Sequence, residues 1–105
     1  MKAYTVAFSP EAQDQLAAIY RYIAASSGSP QVAERYTEAI VAYCEGFQTF
    51  PLRGNQRDDI RSGLRVTHYH KRTVIAFAVD DDRVSIIGVF YGGQDYESGL
   101  HGSAD

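Results

Sequence analysis

Apolar residues recur along this chain with two different periods, and the change of period divides it. Residues 3 to 8, AYTVAF, are rich in aromatic and β-branched side chains and predict a strand. From Ala12 the spacing changes: Ala12, Leu16, Ile19 and Ile23 follow at offsets of four, three and four, which is one face of a helix. Gln13, Asp14 and Arg21 occupy the other face. Ser9-Pro10-Glu11 supplies the start, since serine caps free N–H groups, proline suits the first turn and glutamate complements the helix dipole. SSGSP (26–30) breaks this helix, and Ser29-Pro30 repeats the start signal. Val32, Tyr36, Ile40, Tyr43 or Cys44, and Phe47 then predict a second helix, ending near Phe50-Pro51 because the residue before proline is disfavoured in the helical region. Two helices with a five-residue break predict an antiparallel hairpin.

After a polar, basic stretch, LRGNQRDDIRSG (52–63), that reads as a loop, three strand patterns follow: GLRVTHYHK, TVIAFAVD and RVSIIGVFY. Their joints, Lys71-Arg72 and the acids 80–82, are short enough for hairpins and predict a meander. The expected fold is α+β in two layers, β-α-α-β-β-β, an antiparallel sheet with the helix hairpin on one face. The first strand is expected beside the last and antiparallel to it, an arrangement that needs no forbidden connection. The opposite face of the sheet is expected to stay partly open. Residues 3–97 read as one domain, and 98–105, SGLHGSAD, as a flexible C-terminal tail.

Composition narrows the function. With 105 residues, 45% hydrophobic and 22% charged, the chain has room for one core. No apolar run is long enough to span a bilayer, and the opening residues turn polar too soon for a signal peptide, so a cytoplasmic location is the default expectation. Net charge −3 argues against broad electrostatic attraction to nucleic acid. Yet six of the ten Lys and Arg residues, Arg53, Arg57, Arg61, Arg65, Lys71 and Arg72, fall between 53 and 72, opposed there only by Asp58 and Asp59.

Few groups offer chemistry. Cys44, the single cysteine, has no disulfide partner and reads as a small buried residue. His68 and His70 point to one face of a strand, but no third ligand is in evidence, so no metal is expected. Asp80, Asp81 and Asp82 read as a solvated turn. No phosphate loop or nucleophile elbow is present, no Cys-His pair is placed for nucleophilic work, and no cofactor is implied. The arginines at 53, 57, 61 and 65 recur every four residues and read either as a solvated loop or as a binding edge for phosphate or carboxylates. Eight tyrosines accompany no tryptophan. Tyr20 and Tyr22 cannot share one helix face, so one of them sits at the rim of the apolar stripe, where tyrosines serve as anchors for a partner.

Three stretches in order carry a family resemblance: YTVAFSPEAQDQLAAIYRYIA, then Phe50-Pro51 with Arg53-Gly54 and IRSGLRV, then TVIAFAVDDDRVSIIGVFYGGQDYE. Together they resemble the ParE branch of the ParE/RelE toxins of type II toxin–antitoxin systems. The resemblance implies a toxin neutralised by a cognate ParD-like antitoxin in a hetero-oligomer, with DNA contacted only through the antitoxin. ParE-like members are associated with poisoning DNA gyrase and RelE-like members with ribosome-dependent cleavage of mRNA. In this family the last strand's exit often reads His-Gly-x-Arg-Asp, whereas here it reads Tyr91-Gly92-Gly93-Gln94-Asp95. Gln94 cannot neutralise phosphate as arginine would, and Tyr91 is a poor general base near neutral pH. The expectation is therefore a ParE-like gyrase inhibitor acting by protein binding, with no catalytic residues. The alternatives are a RelE-like mRNA endonuclease or a non-toxic member that only binds its antitoxin. Expected target or partner contacts are Arg53, Arg57, Arg61, Arg65, Tyr91 and Gln94. Expected antitoxin contacts are Tyr20, Tyr22, Ile23 and Tyr36.

Overall fold

The two start signals are used as the sequence predicts. In the computed structural model, which describes residues 3–102, strand β1 (Thr5–Phe8) leads into helix α1 (Pro10–Ser27), and α2 (Pro30–Glu45) follows after only Gly28 and Ser29. The Ser9 hydroxyl accepts the Ala12 N–H at 3.0 Å, and the Ser29 hydroxyl accepts that of Val32 at 3.3 Å, so each helix has a side-chain N-cap with proline in its first turn. A 3₁₀ turn (Gly46–Gln48) closes α2.

The remaining elements are β2 (Asn55–Gln56), β3 (Leu64–Tyr69), β4 (Thr73–Val79), β5 (Arg83–Tyr91) and α3 (Tyr96–Gly102). They form one five-stranded sheet in the order β1-β5-β4-β3-β2. The class is α+β with a meander, and β1 lies beside the last strand as expected. Its direction is not as expected: β1 is parallel to β5, with Thr5 opposite Arg83 and Phe8 opposite Ile86, so the sheet is mixed. The reason lies in the link after α2. It crosses the molecule once more, and its two-residue strand β2 runs antiparallel to β3. That extra traverse sends β3, and hence β5, in the same direction as β1. Gly54 lets the link approach β3 so closely: its φ is +72°, and a side chain there would collide with the Val66 carbonyl.

Two apolar layers flank the sheet. Ala12, Ile19 and Ile23 of α1 and Ala33, Ile40 and Cys44 of α2, with Phe47, pack on Ile75, Phe77, Val84, Ile86 and Val89. Within α2 the buried stripe begins at Ala33, while Val32 remains 44% exposed, a one-residue rotation from the predicted face. On the opposite face Ile60, Leu64, Val66, Ala76, Phe90 and Leu100 form a second cluster. The face expected to stay open is thus covered, by Ile60 of the link and by α3. The expected tail accordingly needs correction: residues 98–102 belong to α3 and Leu100 is only 3% exposed, while 103–105 lie outside the described residues.

A β-bulge sets the end of β5. Ala76 faces Gly88 and Phe77 faces Ile86, leaving Ile87 unpaired. Before the bulge Val84 and Ile86 face the helices; after it Val89 and Tyr91 do, and Phe90 turns to the second cluster. No helix among the described residues is long and apolar enough to cross a membrane.

Candidate functional site

The exit of β5 is built from a mismatch of strand lengths. β1 has four residues and β5 has nine, so β1 accompanies β5 only as far as Ile86. Beyond that point side chains take the place of a neighbouring strand. The Ser9 hydroxyl donates to the Ile87 carbonyl at 3.1 Å. Gln15 Oε1 accepts the Val89 N–H at 2.7 Å, and Gln94 Oε1 accepts the Tyr91 N–H at 2.9 Å. Gly92 and Gly93 make the return possible, both with positive φ (71° and 84°), and the Gly92 N–H donates to the Arg72 carbonyl at 2.8 Å. Asp95 then caps α3: its carboxylate accepts the Ser98 N–H at 3.2 Å and the Ser98 hydroxyl at 2.7 Å. Those bonds hold its pKa below the usual carboxylate range, the hydroxyl contributing most.

This arrangement encloses a pocket of about 360 Å³, lined by Gln15, Ala18, Ile19 and Tyr22 of α1 and by Tyr91, Gly92 and Gln94. Tyr22, 59% exposed, meets Tyr91 edge to face at 5.9 Å. Tyr91 in turn meets Tyr36 at 5.6 Å, and the ring contacts continue through Tyr69, Tyr43 and Phe47 to Phe77. Tyr36 shares a 2.7 Å hydrogen bond with the Thr73 hydroxyl. Burial pushes its phenol up in pKa, outweighing that bond, with Tyr91 and Tyr69 adding to the effect. Tyr36 is thus a neutral support within the aromatic row.

The expected contacts therefore regroup. Tyr22, Tyr91 and Gln94, assigned above to two different partners, line one pocket. Tyr20 belongs to a second groove of about 380 Å³ between the outer faces of the helices, with Leu16 and Ala17 of α1 and Thr37, Glu38, Val41, Ala42 and Glu45 of α2. Ile23 is a core residue at 7% exposure, which leaves it little surface to offer a partner.

The arginines do not form a stripe. Arg53 lies over the rings of Tyr43 (5.4 Å) and Phe47 (4.9 Å), and its Nε donates to the Phe50 carbonyl at 3.0 Å. Arg57 forms a two-pronged pair with Asp59 at 3.0 and 2.9 Å and reaches Glu97 at 2.7 Å and the Tyr96 hydroxyl at 3.1 Å. The bonds to Asp59 and Glu97 hold its charge more firmly than in an ordinary arginine. Arg61 donates to the Leu100 carbonyl at 3.1 Å, and Arg65 to that of Arg53 at 3.0 Å. These side chains brace the link and fasten α3 to it.

His68 and His70 are exposed, and no group of three metal-ligating side chains occurs among the described residues. Cys44 is fully buried, and desolvation drives its thiol to a pKa of about 12. Sequence reading missed Gln15, which looks like any polar residue on the solvent side of α1. The available signal was the unequal length of the first and last strands, which leaves an edge that something must cover.

The sequence profile of the ParE toxin of the type II toxin–antitoxin system parDE matches residues 6–96. The chain belongs to the ParE toxin family. A ParE-type fold also accounts for its structural likenesses. One is to a chain of the chromosomal ParDE toxin–antitoxin system from P. aeruginosa, with TM-score 0.74 and 20% identity over 86% of this chain and 97% of that one. Another is to a chain of the toxin–antitoxin complex RelBE2 from Mycobacterium tuberculosis, with TM-score 0.64 and 22% identity over 90% of this chain and 97% of that one. A comparison with curated proteins returns no significant match.

Proposed function

We propose that this ParE-family chain is the toxin of a toxin–antitoxin pair, that it inhibits DNA gyrase by binding it, and that a ParD-like antitoxin neutralises it. The observation that carries the protein-binding reading is the state of the β5 exit. Gln94 is neutral and engaged with the Tyr91 backbone, Asp95 is committed to capping α3, and Arg57, Arg61 and Arg65 hold the chain's own link and last helix. Transfer of a proton from a ribose hydroxyl needs a base of suitable pKa and cations to meet the phosphate. The groups at this exit are suited instead to shape and hydrogen-bond recognition.

For the antitoxin we assign the groove between the helices. Its floor is apolar, through Leu16, Ala17, Val41 and Ala42, and Glu38 and Glu45 stand along one wall. An amphipathic helix with Lys or Arg beside its apolar stripe complements that surface. Supercoiling and DNA-cleavage assays with purified gyrase, run beside ribosome-dependent mRNA cleavage, test the proposal. Gyrase-linked DNA breaks with intact message are expected. Cut message with untouched gyrase would refute it in favour of the endonuclease reading.

A further inference from the structure

We propose that the pocket between Tyr22 and Tyr91 receives an extended peptide segment of a partner protein, with one aromatic side chain seated over Ala18 and Ile19 and backbone carbonyls bound by the amide NH₂ groups of Gln15 and Gln94. This deepens the protein-binding reading and rests on it.

The two side-chain amides have fixed directions. The Val89 and Tyr91 N–H groups are donors only, so each glutamine must turn its oxygen to the strand, as the 2.7 and 2.9 Å bonds record. Each NH₂, carrying two donors, is then left facing away from the strand. The glutamines thus relay the donor character of the β5 edge outward by one side-chain length. A partner strand would ordinarily need the edge itself, and here that edge is already satisfied. A segment lying alongside needs acceptors, and an extended backbone supplies one carbonyl to the same side at every second residue.

The rest of the pocket fits the same occupant. Its lining contains no charged side chain, so a nucleotide's phosphate would find no counter-charge there. The two tyrosine rings meet edge to face at 5.9 Å, and Tyr22 is 59% exposed, leaving ring surface for a third aromatic group. Tyr91 is held in place from behind by Tyr36, which is itself bonded to Thr73. The wall is therefore pre-formed, which lowers the ordering cost of binding.

The test separates support of the fold from recognition. In Gln94→Glu a carboxylate oxygen still accepts the Tyr91 N–H, but the outward donors are gone; Gln15→Glu does the same at Val89. The probe is the capped pentapeptide Thr-Val-Phe-Val-Thr at millimolar concentration, with its alanine-centred counterpart as control, followed by ¹H–¹⁵N NMR. The side-chain NH₂ signals of Gln15 and Gln94 are expected to shift with the phenylalanine peptide. Affinity is expected to fall about fivefold to tenfold in each glutamate variant, as for loss of one hydrogen bond, and by a similar factor in Tyr22→Ala, with melting temperatures unchanged. An absence of shifts at the glutamine amides overturns the proposal, as does equal binding by Gln94→Glu. Stronger perturbation of the same signals by adenosine monophosphate overturns it in favour of a nucleobase pocket. Gyrase poisoning is read separately, so its loss or retention bears on the function proposed above and not on this pocket.

Discussion

Cys44 shows how far burial can set a residue's chemistry. Its thiol is fully enclosed and its pKa stands at about 12, raised first by desolvation and then by Glu45. A raised pKa in the folded state means that the neutral thiol stabilises the fold below the ordinary thiol pKa, near 8.5–9, and that this contribution is lost as pH rises through about 12. Between those limits unfolding releases a proton. Urea titrations of the parent are therefore expected to lose about 1.4 kcal/mol per pH unit more steeply than those of Cys44→Ala; parallel slopes would contradict this. A thiol reagent at neutral pH is expected to label Cys44 only at the rate of unfolding. The arginines teach the complementary lesson. Their recurrence every four residues was legible, but their partners were not: Glu97, the Leu100 carbonyl and the ring of Phe47 are distant in sequence or invisible to side-chain periodicity. Spacing along a segment says which groups could align, and the path of the backbone decides whether they do.

At the scale of elements, legibility followed local determination. Helices α1 and α2 announce themselves through Ser9 and Ser29 caps, prolines in the first turn and apolar stripes, all within a few residues of each other. Helix α3 has an Asp95 cap but neither a proline in its first turn nor an apolar stripe. Its sequence, YESGLHG, contains two glycines and one aliphatic residue, Leu100. Propensity alone would leave it unformed, and seven residues are too few for an isolated helix. What holds it is non-local: Leu100 against Ile60, Val66 and Phe90, and Arg57 bonded to Tyr96 and Glu97. Leu100→Ala is expected to cost about 2 kcal/mol, the low end for a buried leucine, because a short helix can undock instead of leaving a void. Urea unfolding measures the loss. Faster amide exchange confined to residues 96–102 would identify undocking, and a change below about 0.5 kcal/mol would show that the helix does not depend on this contact. The parallel pairing of β1 escaped sequence reading for a related reason. Strand patterns carry no direction, and only the extra traverse of the link, marked by Gly54, determines it.

At the scale of the whole molecule, the sheet has one covered face of helices and one of link and α3, and the two open concavities described above lie at α1 rather than over the sheet. The groove between the helices and the pocket at the β5 exit lie on different sides of α1, the first with Leu16, Ala17 and Tyr20 and the second with Gln15, Ala18 and Tyr22. One helix can therefore present two surfaces to two partners. The parallel pairing has a further consequence, in time rather than in space. Thr5 waits for Arg83, and the Ser9 hydroxyl finds the Ile87 carbonyl across 78 residues of chain. A fragment ending at Asp82 is expected to lack a cooperative thermal transition, which circular dichroism would detect; a sharp melt would show that β1 and the helices suffice. At about 5–20 residues per second, a ribosome needs roughly 4–16 s to deliver the second half of that pairing after the first. For that interval the emerging chain has no place to put its first strand, so the ParE-type sheet can close only after β5 has left the ribosome.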